Sequence, residues 1–238
     1  KRSFAYISTG NFNEKTATVY ADSALITSKQ EIVDDLYNLF SFLRRDITEP
    51  KFKHLLVPRF NLLPELKRRL EFEKNMAKAG KKAYIILKMN ALQDPAMIDE
   101  LYRASEVGVQ IDLIIRGICC LIPNQSYSKN IRVTRIVDGF FFFFRVWYFY
   151  NGGKPMVYMG SPDWMKRNLY RRIEAVAPVL DPKLRQEMID MLYIQLADNQ
   201  KAGWVDENLR NVMKRNVLSS PVRSQYAFYE YLKEKNQL

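Results

Sequence analysis

The 238 residues contain one histidine, His54, and two cysteines, Cys119 and Cys120, which are neighbours. Adjacent cysteines have poor geometry for bridging each other, and no spaced Cys/His set for zinc is present. A disulfide scaffold and a zinc module are therefore excluded, and a reduced, cytoplasmic protein is the simplest inference. Long apolar runs are also lacking. The longest aromatic stretch, Phe140 to Phe144, is far below the roughly 20 apolar residues that a membrane-spanning helix takes. No Arg/Lys-led apolar leader follows Lys1, and one lost upstream stays open. His54, the one imidazole, lies between Lys53 and Leu55 in a segment rich in Lys and Pro, where a structural or surface role is expected rather than a nucleophilic one.

What is abundant is positive charge. Lys and Arg total 37 against 26 Asp and Glu, a net charge of +11, which favours a polyanionic partner because clustered cations release counterions on binding. A solvated basic surface is the plain alternative. With 47% hydrophobic residues, the chain buries a real core, as one large domain or one domain plus part of another.

The periodicity predicts a helix over 31–45, with Ile32, Leu36, Leu39, Phe40 and Leu43 at helical spacing. A linker over 46–58 follows, with Pro50 and Pro58, and a boundary near His54 separates residues 1–54 from 55–238. Helices are expected over 62–79, from Asp94-Pro95 to Gly108, from Asp181-Pro182 to about Asp198, and over 224–235. Strands are expected over 83–88, 110–116, 131–137, 145–150, 157–160 and 172–179. Such interleaving indicates an α/β fold, a mixed sheet flanked by helices.

Two segments read as one motif used twice. Ser8-Thr9-Gly10-Asn11 closes the apolar run Phe4 to Ile7, and Gly160-Ser161-Pro162-Asp163 closes Met156 to Met159. A strand entering a turn of small hydroxyl, Gly and amide or acid residues exposes N–H groups and hydroxyls to an anion, so two half-sites facing one phosphate are expected. Thr9 offers a hydroxyl, and Asn11 accepts φ > 0. Arg116 ends an apolar strand, where α/β proteins bind ligands, and arginine's planar fork pairs with phosphate oxygens. Arg172 is expected to start a strand in the same way. Without further information, either arginine is a surface ion-pair partner more often than a ligand, and Tyr20 is a core or strand-edge tyrosine with a satisfied hydroxyl.

The segments Ser8-Thr9-Gly10-Asn11-Phe12-Asn13-Glu14-Lys15, Arg116-Gly117-Ile118-Cys119, Ile136-Val137-Asp138 and Asp163-Trp164-Met165-Lys166-Arg167-Asn168 resemble the C-terminal half of bacterial polyphosphate kinase, the type with a phospholipase D-like core. The likeness covers nearly the whole chain. It implies two phospholipase D-like catalytic domains: residues 1–54 as the end of the first, and 55–238 as the second. It further implies reversible transfer of the terminal phosphate of ATP to polyphosphate through a phosphohistidine, with Mg2+. ATP or ADP, polyphosphate, N-terminal domains and other copies of the protein are the implied partners. The location would be cytoplasmic, including the periphery of the inner membrane. Tyr20, Arg116 and Arg172 match nucleotide or phosphate contacts, and Thr9, Asn11, Arg145, Ser161, Asp163 and Asn168 surround them. No metal ligand is expected within the chain.

The histidines depart from that pattern. The first is implied upstream of Lys1, and the second belongs to a Glu-His-x-Arg-Val pattern that Phe142-Phe143-Phe144-Arg145-Val146 occupies here, with Phe143 at the histidine's position. A phenyl ring neither attacks phosphorus nor carries a proton. Five successive phenylalanines are either buried on both sides or form an exposed patch. The expectation is phosphate binding without covalent chemistry. The competing class is a non-catalytic phospholipase D-like module for nucleic acid or another polyanion, and a ligand-free structural fragment is the third.

Overall fold

Burial on both faces decides which runs of this chain become central strands. The computed structural model describes residues 3–10, 12–18, 20–139, 141–142, 144–214 and 220–236. In chain order come β1 (Ala5–Ser8), α1 (Glu14–Ala17), β2 (Tyr20–Ala21), β3 (Ala24–Thr27) and α2 (Gln30–Leu43). Next are α3 (Leu62–Lys78), β4 (Tyr84–Met89), α4 (Pro95–Glu106), β5 (Gln110–Ile115) and β6 (Ile131–Ile136). Then come β7 (Phe141–Phe142), β8 (Arg145–Phe149), β9 (Met156–Gly160), α5 (Lys166–Tyr170) and β10 (Val176–Pro178). Last are α6 (Pro182–Leu196), β11 (Ala202–Val205), β12 (Asn211–Met213) and α7 (Ser224–Asn236).

Among the described residues the main sheet has eight strands in the order β10-β9-β8-β4-β5-β6-β11-β12. β4, β5 and β6 run parallel, and the flanking strands on both sides are antiparallel. The expected α/β architecture, a mixed sheet flanked by helices, is therefore what forms. β4 and β5, at the centre of the sheet, are largely apolar runs because they are buried on both faces. Ile85, Leu87 and Met89 pack under α3 and α4, whereas Ile86 turns to the opposite face, with Val146, Tyr148 and the β1/β3 hairpin. Leu62, Leu66 and Leu70 place one stripe of α3 in the first core. Asp94 caps α4 by accepting from Met97 N–H, and Asp181 caps α6 by accepting from Lys183 and Leu184 N–H.

Three expectations are corrected. The proposed linker is core at its end: Leu55, Leu56 and Val57 are buried, and Leu56 exchanges two backbone hydrogen bonds with Val176. Asp35 holds this segment by accepting the N–H groups of Lys53, His54 and Leu55. Arg172 does not start a strand. Its N–H donates to the Arg167 carbonyl at the end of α5, and β10 begins only at Val176. Finally, β11 and β12 extend the sheet where no strand was expected. The aromatic run goes inward where it is described: Phe144 is buried, and Phe142 packs partly buried against the same core. Phe140 and Phe143 lie outside the described residues.

Candidate phosphate-binding site

Both expected turns meet at one end of the sheet, and a glycine sits at the close approach in each. A Cβ on Gly10 would collide with the Asp22 carboxylate, and one on Gly160 would lie 2.5 Å from the Ala175 carbonyl oxygen. Between the turns lies a cavity of about 290 Å³, walled by Thr9 and Gly10 on one side and by Ser161, Asp163 and Asn168 on the other. Tyr20, Asp22, Arg145, Arg167, Arg172 and Glu174 complete it.

Arg145 and Asp163 stitch the two halves together. Arg145 donates to both Asp163 oxygens, through Nε at 3.2 Å and Nη2 at 3.0 Å, and to the Thr9 carbonyl through Nη1 at 3.0 Å. Asp163 also accepts the N–H groups of Asn90 (2.7 Å) and Ala91 (3.2 Å). This pair is largely buried, with side-chain exposures of 13% and 9%, so each charge relies on the other for solvation. Glu174 plays a smaller part of the same kind, accepting from the Ser161 hydroxyl and from Asn168 Nδ2 (2.6 Å).

The structure brings Thr9, Tyr20, Arg145, Ser161, Asp163, Asn168 and Arg172 around one cavity. Arg116 is not in its wall; it lines a second, smaller cavity with Lys88 and Phe142. Asn11 and Phe143 lie outside the described residues. The turns also differ from the expected anion cradle. Thr9 N–H donates to the Ser23 carbonyl, Gly10 N–H to Ser8 Oγ, and Ser161 N–H to the Ala175 carbonyl. The Thr9 hydroxyl accepts from Ser23 N–H at 3.1 Å. These groups shape the turns, which leaves anion attraction to side chains. Arg167 and Arg172 are exposed at the cavity, Arg172 with its guanidinium 4.0 Å from Glu174.

Sequence reasoning missed Asp22, Arg167 and Glu174. Arg167 sits inside a motif already singled out, and its spacing of five from Arg172 was the available signal. Asp22 and Glu174 carry none, since their positions depend on which turns meet. Of the three carboxylates in the wall, two do not suit magnesium. A hard cation needs several oxygen ligands, whereas Asp163 and Glu174 are committed to N–H, guanidinium and hydroxyl donors. Among the described residues no group of three His, Cys, Asp or Glu side chains gathers. His54 is not in the cavity wall, and its Nε2 lies 3.2 Å from Glu31.

A mixed α/β sheet with a cation-lined cavity at its strand ends is the build of a protein that handles phosphate groups. The family profile described as "Polyphosphate kinase C-terminal domain 2" matches residues 55–225, and "Polyphosphate kinase C-terminal domain 1" matches residues 1–49. The polyphosphate kinase of Vibrio parahaemolyticus is 43% identical over 231 residues, which are 97% of this chain and 33% of that protein. That of Escherichia coli K12 is 40% identical over 235 residues, 98% of this chain and 34% of that protein. The crystal structure of polyphosphate kinase from Porphyromonas gingivalis superposes with a TM-score of 0.96 at 52% identity, covering all of this chain and 37% of that one. The chain belongs to the polyphosphate kinase family and corresponds to its C-terminal region. It spans about a third of the length of the curated relatives it matches.

Proposed function

We propose that this chain binds polyphosphate and the phosphates of ATP without carrying out covalent phosphoryl transfer by itself. The observation that supports this reading is the cavity of about 290 Å³ with Arg145, Arg167 and Arg172 in its wall. In the intact family the implied reaction moves the terminal phosphate of ATP to a histidine and then to polyphosphate, with magnesium balancing charge. Phosphoryl transfer is chiefly positioning and charge neutralisation, and this chain's own residues serve those two tasks. Arg172 pairs with phosphate oxygens, Arg145 and Asp163 hold the two turns in register, and Tyr20 flanks the nucleotide. The nucleophile is what the 238 residues lack, since Phe143 stands at the position of the second histidine and His54 matches neither. Residues 1–54 and 55–238 are proposed to be parts of two successive catalytic domains, a division supported by family profiles that match 1–49 and 55–225.

Incubation with ATP labelled at the γ-phosphate tests the covalent half: no acid-labile label is expected on the protein. Stoichiometric label on His54 would refute it. Titration with polyphosphate tests the binding half, with affinity expected to fall steeply as salt rises, because each Lys or Arg that meets the polyanion releases counterions. The competing nucleic-acid module predicts the same salt trend, so competition separates them: single-stranded DNA that displaces polyphosphate, while polyphosphate fails to displace DNA, favours the competitor.

A further inference from the structure

We propose that Lys88 and Asn90, at the end of β4, form with Arg116 a second oxyanion subsite for a phosphoryl group, covered in this chain by the rings of Phe142 and Phe144. The inference deepens the phosphate-binding reading and rests on it. Lys88 lies in the middle of the sheet, paired in register with Val146 on β8 and Ile114 on β5, and is 3% exposed. Its ammonium donates to the Phe142 carbonyl at 3.1 Å and sits 4.7 Å from the centroid of the Phe144 ring. A carbonyl and a phenyl ring do not neutralise a buried cation, which is costly to keep charged there. Burial, reinforced by Arg145 and Arg116 and opposed by Asp163, pulls the Lys88 pKa down to about 7.

Asn90 carries the second, independent observation. It is 8% exposed, and neither its side-chain nitrogen nor its oxygen has a hydrogen-bond partner among the described residues. Its backbone is pinned on both sides, the N–H to Asp163 at 2.7 Å and the carbonyl to Gly117 N–H at 2.8 Å. The residue is thus fixed between Asp163, in the wall of the larger cavity, and Gly117, the neighbour of Arg116; it lines neither cavity itself and lies two positions beyond Lys88 in the chain. A buried amide left without partners costs stability that an apolar side chain would not, and an oxyanion drawn in beside Lys88 would give its N–H groups an acceptor. The smaller cavity, lined by Lys88, Arg116, Phe142 and Gln195 among others, holds about 20 Å³, room for a water and not for a phosphate. Phe142 packs edge-on against both Phe144 and Phe228, so these rings must yield before an oxyanion enters.

The test is calorimetric titration of tripolyphosphate into the purified chain, alongside thermal unfolding of every variant. Phe142→Ala should raise the affinity about tenfold, the scale of one hydrogen bond to a charged group. That gain should vanish when Lys88→Met or Asn90→Leu is added. Each of these two alone should leave the melting temperature unchanged or raise it, because each removes a poorly satisfied buried polar group. Phe142→Leu, which keeps apolar contact with shorter reach, gives the same comparison should Phe142→Ala unfold. An affinity unmoved by either ring variant, or a gain that survives Lys88→Met and Asn90→Leu, overturns the subsite. If the parent chain binds through Arg172 while ring removal adds nothing, only the subsite fails; if no variant binds tripolyphosphate, the phosphate-binding reading fails with it.

Discussion

The two cavities at the strand ends differ in how their buried charges are held. In the larger one, Asp163 takes two backbone N–H groups and both arms of Arg145, and Glu174 takes the Ser161 hydroxyl and the Asn168 amide. In the smaller one, Lys88 rests on a carbonyl and a ring, and two residues further along the chain the Asn90 amide has no partner among the described residues. Groups of the first kind stabilise the fold and set the shape of the site. Groups of the second kind weaken the fold, so their presence calls for a ligand.

The contrast breaks most visibly at Asp163. Asp163→Ala would leave the largely buried Arg145 guanidinium without its carboxylate and two backbone N–H groups without an acceptor, so a loss of about 3–5 kcal/mol in urea unfolding is expected. A loss below about 1 kcal/mol would mean that the pair is ornamental and that the turns are held otherwise. Next in size is a pH effect. Because the Lys88 pKa in the folded chain is pulled to about 7, below its unfolded value near 10.4, the unfolded state binds more protons between those values. Lys88 therefore makes stability rise with pH through that window, and fully so only above the unfolded value. Lys88→Met should remove about 2–4 kcal/mol of rise between pH 7 and 10, read from denaturant midpoints at each pH. Identical pH profiles for the two proteins would show that Lys88 is solvated after all.

Smaller effects sharpen the binding side. Arg172→Lys keeps the charge and loses the planar fork, so tripolyphosphate affinity should drop by about 1–3 kcal/mol with unfolding unchanged. Arg185, on α6 after the Asp181 cap, is the control, and Arg185→Lys should change affinity by less than about 0.5 kcal/mol. Equal losses at 172 and 185 would mean that anion attraction is diffuse.

Much of the fold was legible because local signals agreed with one another. Asp94-Pro95 and Asp181-Pro182 announce helix starts, and the apolar runs of β4 and β5 announce strands buried on both faces. The tail of the supposed linker was misread because Pro and Lys around His54 look like punctuation, while the burial of residues 55–57 depends on pairing with β10 more than a hundred residues later. β11 and β12 were missed for a similar reason. Their short runs, Ala202–Val205 and Asn211–Met213, have no clear alternation and become strands by adding to the edge at β6.

By itself the sequence determined the family-bearing turns, the charge that favours a polyanion, and the absence of an imidazole at position 143. These follow from residue identity, which no packing alters. Only the tertiary structure decided which cations share a cavity, because that depends on contacts between residues far apart in the chain. Arg145 meets Thr9 across 136 positions, Asp163 meets Asn90 across 73, and Lys88 meets the Phe142 carbonyl across 54. The same long-range packing commits the turn N–H groups to the protein itself and separates Arg116 from Arg172, since a backbone donor buried at a strand end must find its acceptor within the fold.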